Sequence, residues 1–380
     1  MKKKAIGLMS GTSLDGIDIV FTEISGSGFD TQTKVLASNT YSYDEKLLKK
    51  LNMAMDINKS SVKLITSLNF EVAFAYYQAI TKFCEDYAIN LSEIDFIASH
   101  GQTIYHIDKN SFDVTASTLQ IGDGSVLANL TNCTVVSAFR AADIAAGGKG
   151  APLVPYFDYL MCSSKEKSRV LLNIGGISNI TFLKQDSDIN SIIAFDTGPG
   201  NMMIDEAVKK LYDKSYDESG IIAGRGKVII SMFEEIINHD YFKRYPPKTT
   251  GREDFGVDYT RYLLKKYKTN KSEDIVATLT NVTAYTISQA LKDFIHEDIH
   301  EIYVSGGGSH NQTLIKLIKE YSKCCHVDTI DSLGISSDYK EALAFVVLAN
   351  ETLNHMPGNV PSATGAKRRV ILGQVSYVIK

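Results

Sequence analysis

The sequence predicts an α/β protein of two domains with a cleft between its halves. Three observations carry that prediction. The chain has 380 residues, and domains usually run to about 100–200 residues each. Short apolar or alternating segments are interleaved with longer segments of helical period, as in α/β chains. A strand, glycine turn, strand pattern opens the chain at 6–20 and returns at 171–181. The recurrence is either an internal duplication or a pair of ordinary hairpins, and length and pattern fit both.

The elements follow in order. Strands are expected at Ala5–Met9, Ile17–Glu23, Phe96–Ser99, Val135–Ser137, Arg169–Ile174, Asn179–Leu183, Ser191–Phe195 and Glu301–Ser305. Each is short, and either apolar on both faces or alternating in polarity. Helices are expected at Asp44–Met55, Val62–Tyr87, Met202–Tyr212, Ile275–Ile295 and Thr313–Ser322. In the fourth, Ile275, Leu279, Val282, Ile287, Leu291, Phe294 and Ile295 form one apolar stripe. The first proline is Pro152, so the N-terminal part reads as regular structure punctuated by Gly and Asn/Asp turns.

Composition excludes several classes. A net charge of −4 gives no sign of a basic, nucleic-acid-coating surface. The apolar run after Lys2-Lys3-Lys4 ends at Met9, short of the roughly 7–15 residues of a signal-peptide core. The best apolar stretch elsewhere, Ala342 to Ala349, falls short of the roughly 20 residues of a membrane helix. Five cysteines, Cys84, Cys133, Cys162, Cys324 and Cys325, show no CxxC spacing. They read as reduced thiols of a cytoplasmic protein. Cys324-Cys325-His326 reads as a buried strand end rather than a ligand set.

Glycine placement is the informative feature. Thirteen of the 27 glycines fall in four short stretches, which marks sharp turns or close approach to a ligand. In Gly11-Thr12-Ser13-Leu14-Asp15-Gly16-Ile17-Asp18, a glycine turn and two hydroxyls make a cradle for phosphate oxygens. Asp15 and Asp18 would repel phosphate unless Mg²⁺ sits between; a plain hairpin turn fits as well. In Phe195-Asp196-Thr197-Gly198-Pro199-Gly200-Asn201, a carboxylate at a strand end faces a glycine loop and a helix start, so it can meet a phosphate or a reacting hydroxyl. In Val304-Ser305-Gly306-Gly307-Gly308-Ser309, three glycines leave backbone on which a ring or phosphate can lie. The bland reading there is a helix start capped by Ser309 or Asn311, which leaves three successive glycines unexplained. Neither a Walker A nor a Rossmann fingerprint is present.

Two Asp-bearing phosphate loops, one per half, followed by a glycine-rich nucleotide loop, resemble the superfamily of sugar kinases, Hsp70 and actin. The likeness implies a two-domain actin-like ATPase, a duplicated ribonuclease H-like fold with an interdomain cleft. A closer resemblance is to the anhydro-N-acetylmuramic acid kinase family. It rests on Met9 to Asp18, Ser99-His-Gly-Gln-Thr103, Gln120-Ile-Gly-Asp123, Phe139-Arg140, Ala142 to Gly148 and Gly150 to Pro155. It continues through Asn173 to Ile177, Phe195 to Asn201, Ser305 to Gly308, Glu341-Ala342 with Ala344-Phe345, and Pro361 to Ala366. These strings run in family order over nearly the whole chain. Lys149 stands where Gln is expected and Ser178 where Ala is usual.

The resemblance implies a kinase using ATP and Mg²⁺. It would hydrolyse the 1,6-anhydro bond of 1,6-anhydro-N-acetylmuramic acid and phosphorylate O6, in peptidoglycan recycling. Asp196 would be the catalytic base acting on water, and Glu341 a second catalytic candidate of less defined role. ATP would be held by Gly11 to Asp18, Gly175, Gly176, Gly198, Gly200, Asn201 and Gly306 to Gly308. Mg²⁺ would be held mainly by the ATP phosphates, with Asp15 and Asp18 as candidate ligands. His100, Gln102, Arg140 and Asp143 would bind the sugar, Arg140 by its lactyl carboxylate. The expected domains are 1–131 with 359–380, and 132–358. A homodimer is implied, with no nucleic-acid or membrane partner. The competing readings are an actin- or Hsp70-like ATPase acting on a protein partner, for which 380 residues leave little room, and a sugar-binding regulator, for which no DNA-binding helix pair is apparent.

Overall fold

The computed structural model describes residues 2–11, 14–107, 109–322 and 326–379. The chain divides into two compact units, Met1–Leu160 with Tyr339–Lys380, and Met161–Asp338. In the first, β1 (Lys3–Ser10), β2 (Ile17–Ser25) and β3 (Gln32–Tyr41) form an antiparallel meander. On the other side of β1, β4 (Phe96–Ile107) runs parallel to it. β5 (Ser117–Ile121) pairs with the later part of β4, and β6 (Thr134–Ser137) runs parallel to its start. The strand Gln374–Ser376 completes the edge against β6. Ile6, Leu8 and Ile19 meet Leu68, Val72, Tyr76 and Phe83 of the helix Val62–Asp86 in one core.

A second helix, Lys340–Leu353, lies on β1, β2 and β4. It is buried at every residue from Lys340 to Thr352 except Glu341. Gly7 makes the approach possible, because a Cβ there would lie 2.3 Å from the Ala342 carbonyl oxygen. This helix contains the apolar stretch at 342–349, too short for a membrane span. Among the described residues no helix is long and apolar enough to cross a membrane.

The second unit repeats the arrangement. β7 (Arg169–Ile174), β8 (Ile177–Leu183) and β9 (Ile193–Pro199) form an antiparallel meander. β10 (Glu301–Ser305) runs parallel to β7, and β11 (His326–Thr329) parallel to β10. The orders β3-β2-β1-β4-β6 and β9-β8-β7-β10-β11 are the same path: a meander whose first strand continues into two parallel strands. The two hairpins of the sequence pattern are therefore corresponding parts of a duplicated, ribonuclease H-like fold.

Some expectations need correcting. The units divide at 160/161 and 338/339, not at 131/132 and 358/359. β6 pairs with β4, and the helix Lys340–Leu353 packs on β1, so both belong with the first sheet. β3, β5, β11 and the strand Gln374–Ser376 come in addition to the expected strands. His326 starts β11 but is exposed, not buried; Cys324 and Cys325 lie outside the described residues. Cys84, Cys133 and Cys162 are buried.

Candidate active site

The loop between β1 and β2 is held from below. Leu14 N–H donates to the Gly11 carbonyl at 3.2 Å, and the fully buried Gln102 donates its amide to the same carbonyl at 3.1 Å. Leu14 takes a φ of 63°, and its side chain and that of Ile17 join the core. Only their backbone is available to a ligand. Gly16 lies against β3, where a Cβ would sit 2.7 Å from Thr40. Asp15 is exposed, and Asp18 accepts a hydrogen bond from the Thr40 hydroxyl at 2.7 Å. Thr12 and Ser13 lie outside the described residues.

Arg140 stands at the centre of a polar cluster in the same unit. Its Nε and Nη2 both donate to His100 Nε2, at 3.1 and 2.8 Å, and Nη1 donates to the Gly150 carbonyl at 2.8 Å. Among the described residues no carboxylate forms an ion pair with it; Glu341 and Asp143 act on its charge from farther away. His100 is 3% exposed and its Nδ1 faces the Gly101 carbonyl at 2.8 Å. Burial, reinforced by the Arg140 charge, holds its pKa down to about 3. Glu341 is half-buried, and burial pushes its carboxyl up, opposed by Arg140 and Lys340.

Three of the four expected sugar ligands therefore turn to other protein groups. Both His100 nitrogens are engaged. Gln102 braces the Gly11 turn and accepts from Tyr43. Asp143, fully buried, accepts from Asn359 and Thr364 on one oxygen and from Gly150 N–H on the other, each at 2.8 Å. It fixes the 147–150 turn, where a Cβ on Gly148 would lie 2.2 Å from its carboxylate. Lys149 in that turn donates its N–H to the Thr364 carbonyl at 2.9 Å. Beside the cluster, a cavity of about 400 Å³ is lined by groups that include Asn69, Phe70, Ser99, His100, Gln120 and Gly122, a volume suited to a small molecule.

In the second unit, Asp196 sits on β9 with its backbone gripped on both sides. Its N–H donates to the Lys248 carbonyl at 3.1 Å, and its carbonyl accepts from the Tyr241 hydroxyl at 2.5 Å. Thr250 N–H donates to carboxylate Oδ2 at 2.9 Å. Lys248 and Thr250 went unnoticed in the sequence; the signal was Pro246-Pro247 ahead of a Lys-Thr-Thr turn. Lys248 is 5% exposed, with Nζ 4.5 Å from the Phe294 ring centroid and 4.9 Å from that of Tyr241.

The glycines of this unit converge. N–H groups of Gly200, Asn201 and Met202, at the start of the helix Met202–Tyr212, donate to carbonyls of Gly175 and Gly176. Those three donors are occupied within the protein. Gly200 is needed for this contact, since its Cβ would lie 2.3 Å from the Gly175 carbonyl. Gly198 is packed against Phe242. Gly306 and Gly308 press on Ile174, and the exposed Gly307 has Asn201 Nδ2 as the nearest neighbour a Cβ would meet, at 3.6 Å. Gly307 is thus open backbone, as is Gly175, whose Cβ would meet nothing nearer than 3.8 Å. Asn311, rather than Ser309, caps the following helix Gln312–Tyr321 through Leu314 N–H.

The model of the family described as anhydro-N-acetylmuramic acid kinase matches residues 3–378. The chain belongs to the anhydro-N-acetylmuramic acid kinase family. The protein of that name from Francisella tularensis subsp. novicida is 49% identical over 377 residues, 99% of each chain. The one from Clostridioides difficile is 46% identical over 374 residues, and that of Bacillus cereus strain AH187 44% over 375, each covering 98% of both chains. Among solved structures, the activator of 2-hydroxyisocaproyl-CoA dehydratase from Clostridium difficile aligns with a TM-score of 0.48 at 13% identity, over 92% of this chain and 96% of that one. Ser178 of β8 lies beside the strand that carries Asp196. Its hydroxyl lies 2.6 Å from that of Thr197, next to Asp196, and both are buried.

Proposed function

We propose that this protein is an ATP-dependent kinase that opens the 1,6-anhydro ring of 1,6-anhydro-N-acetylmuramic acid with water and phosphorylates O6. The product is N-acetylmuramic acid 6-phosphate, formed in peptidoglycan recycling. Membership of the kinase family over residues 3–378 carries the reading. Asp196 is the general base: it takes a proton from water, whose oxygen bonds to C1 as the C1–O6 bond breaks. O6 then receives the γ-phosphoryl group of ATP, leaving ADP. The backbone grip on Asp196 and the Thr250 hydrogen bond support that role, because a base must be held at hydrogen-bond reach of its proton.

Arg140 receives the lactyl carboxylate, Gly11 to Asp18 the ATP phosphates, and Gly307 with its neighbours the nucleotide. Among the described residues no group of three His, Cys, Asp or Glu could cage a metal. Mg²⁺ characteristically keeps waters and binds phosphates with one or two carboxylates, and Asp18 and Asp15 suit that donor set. Mg²⁺ supplies charge neutralisation at the transferring phosphoryl group.

The deciding experiment incubates the protein with ATP, Mg²⁺ and the anhydro-sugar and weighs the sugar by mass spectrometry. Gain of one water and one phosphoryl group is expected. An unchanged sugar, with ATP hydrolysis stimulated instead by a protein, would overturn the reading in favour of a partner-moving ATPase.

A further inference from the structure

We propose that His100 is a positioning residue: a neutral imidazole that aims the Arg140 guanidinium at the substrate's carboxylate. The inference rests on the sugar-kinase reading and adds a residue that acts through another. A carbonyl oxygen cannot donate, so the 2.8 Å contact with Gly101 puts the histidine proton on Nδ1. Nε2 then carries a lone pair, and it faces two guanidinium N–H groups at 2.8 and 3.1 Å. A guanidinium only donates, so a protonated imidazole would leave these donors without an acceptor and set two cations together.

The local sequence builds this tautomer. Gly101 has a φ of 77° and a Cβ there would lie 2.8 Å from the Ile121 carbonyl, so only glycine turns its own carbonyl back under the preceding ring. Phe345 fixes the ring's tilt at a centroid distance of 4.7 Å. Arg140 has five N–H groups. Two go to His100 and one to Gly150, which leaves one on each terminal nitrogen. Two such donors are the number a carboxylate accepts in a bidentate pair. A half-buried guanidinium with no ion pair from the described residues is the anion receptor, and His100 sets its plane without neutralising its charge.

The test compares wild type, His100→Phe and His100→Gln on two sugars, 1,6-anhydro-N-acetylmuramic acid and the otherwise similar 1,6-anhydro-N-acetylglucosamine, which lacks the lactyl carboxylate. His100→Phe keeps the ring but removes the acceptor. It should raise KM for the carboxylate sugar by about tenfold or more, the size of a lost hydrogen bond to a charged group. The kcat, the KM for ATP and the weaker handling of the second sugar should stay nearly as in wild type. His100→Gln, which returns an oxygen near the Nε2 position, should recover most of the loss. Equal loss on both sugars, an unchanged KM, or no rescue by Gln would overturn the positioning role. Wild type that fails to distinguish the sugars would overturn the carboxylate assignment of Arg140, and wild type inactive on both would overturn the kinase reading itself. ¹⁵N shifts of the His100 ring in wild type need no variant: an Nδ1–H tautomer is expected, and an Nε2–H tautomer would sink the proposal.

Discussion

The Lys248 amine lies among three aromatic faces, and burial pulls its pKa down to about 8. Its unfolded value is near 10.5, so between pH 8 and 10.5 the unfolded chain holds more protons than the folded one. Stability contributed by this group therefore rises with pH across that window, by at most about 1.4 kcal/mol per pH unit. Denaturant unfolding at about pH 7.5 and 9.5 should show wild type gaining on Lys248→Met at the higher pH; a constant difference would remove the argument. Asp196→Asn tests the neighbouring base. Asparagine keeps the backbone contacts and an oxygen for Thr250 N–H, so the loss isolates proton transfer. A fall in kcat of about 10²–10⁴ is expected, with ATP affinity unchanged by calorimetry, and near-normal turnover would reject Asp196 as the base. At this scale the sequence offered Asp196, by its strand-end glycine loop, and Arg140, by family resemblance, as candidates. It could not say that His100, Gln102 and Asp143 bond to other protein groups, because side-chain partners 40 to 221 positions away leave no local pattern.

Among the elements, the hairpins β1–β2 and β7–β8 were legible because alternation and glycine turns are local signals. β3 was not, since it is an edge strand with no buried residue, in which polar Gln32, Thr33, Lys34, Ser38, Asn39 and Thr40 flank Val35–Ala37, chemistry that also suits loops. The helix Lys340–Leu353 was hidden for the opposite reason. It is buried on almost every side, so it lacks the polar face that makes a helical period visible. Its packing on β1 gives a sharp prediction. Gly7→Ala places a methyl 2.3 Å from the Ala342 carbonyl and 2.6 Å from Val346, and overpacking of this kind costs about 1–3 kcal/mol. Gly175→Ala is the contrast, since its Cβ would meet nothing nearer than 3.8 Å. Urea unfolding should place Gly7→Ala well below wild type and leave Gly175→Ala within about 0.5 kcal/mol. Equal effects would mean that the helix can shift away from β1 without loss.

For the whole molecule, the two hairpins left duplication and coincidence both open until the matching strand orders decided for duplication, and the boundaries could not be read. The return of the chain to the first unit at Tyr339 depends on one almost wholly buried helix and a three-residue strand. This connectivity makes the two units unequal as folding units. The second is one continuous stretch, Met161–Asp338, with its own sheet and two apolar clusters, one around Val170, Leu172 and Ile302 and one around Met203, Tyr241 and Phe255. The first is assembled from two stretches. Without 339–380, β1 loses the helix that covers Gly7 and β6 loses its edge partner, and buried carboxylates lose their donors, as Asp143 loses Asn359 and Thr364. An unpartnered buried carboxylate is costly. A fragment spanning 161–338 should therefore unfold in one cooperative transition by circular dichroism and calorimetry, whereas 1–160 alone should not. Adding 339–380 back through a short flexible linker should restore a cooperative transition to the first unit. A cooperative 1–160 fragment would show that the C-terminal stretch only decorates that unit, and a non-cooperative 161–338 fragment would show that its two apolar clusters cannot sustain the second sheet.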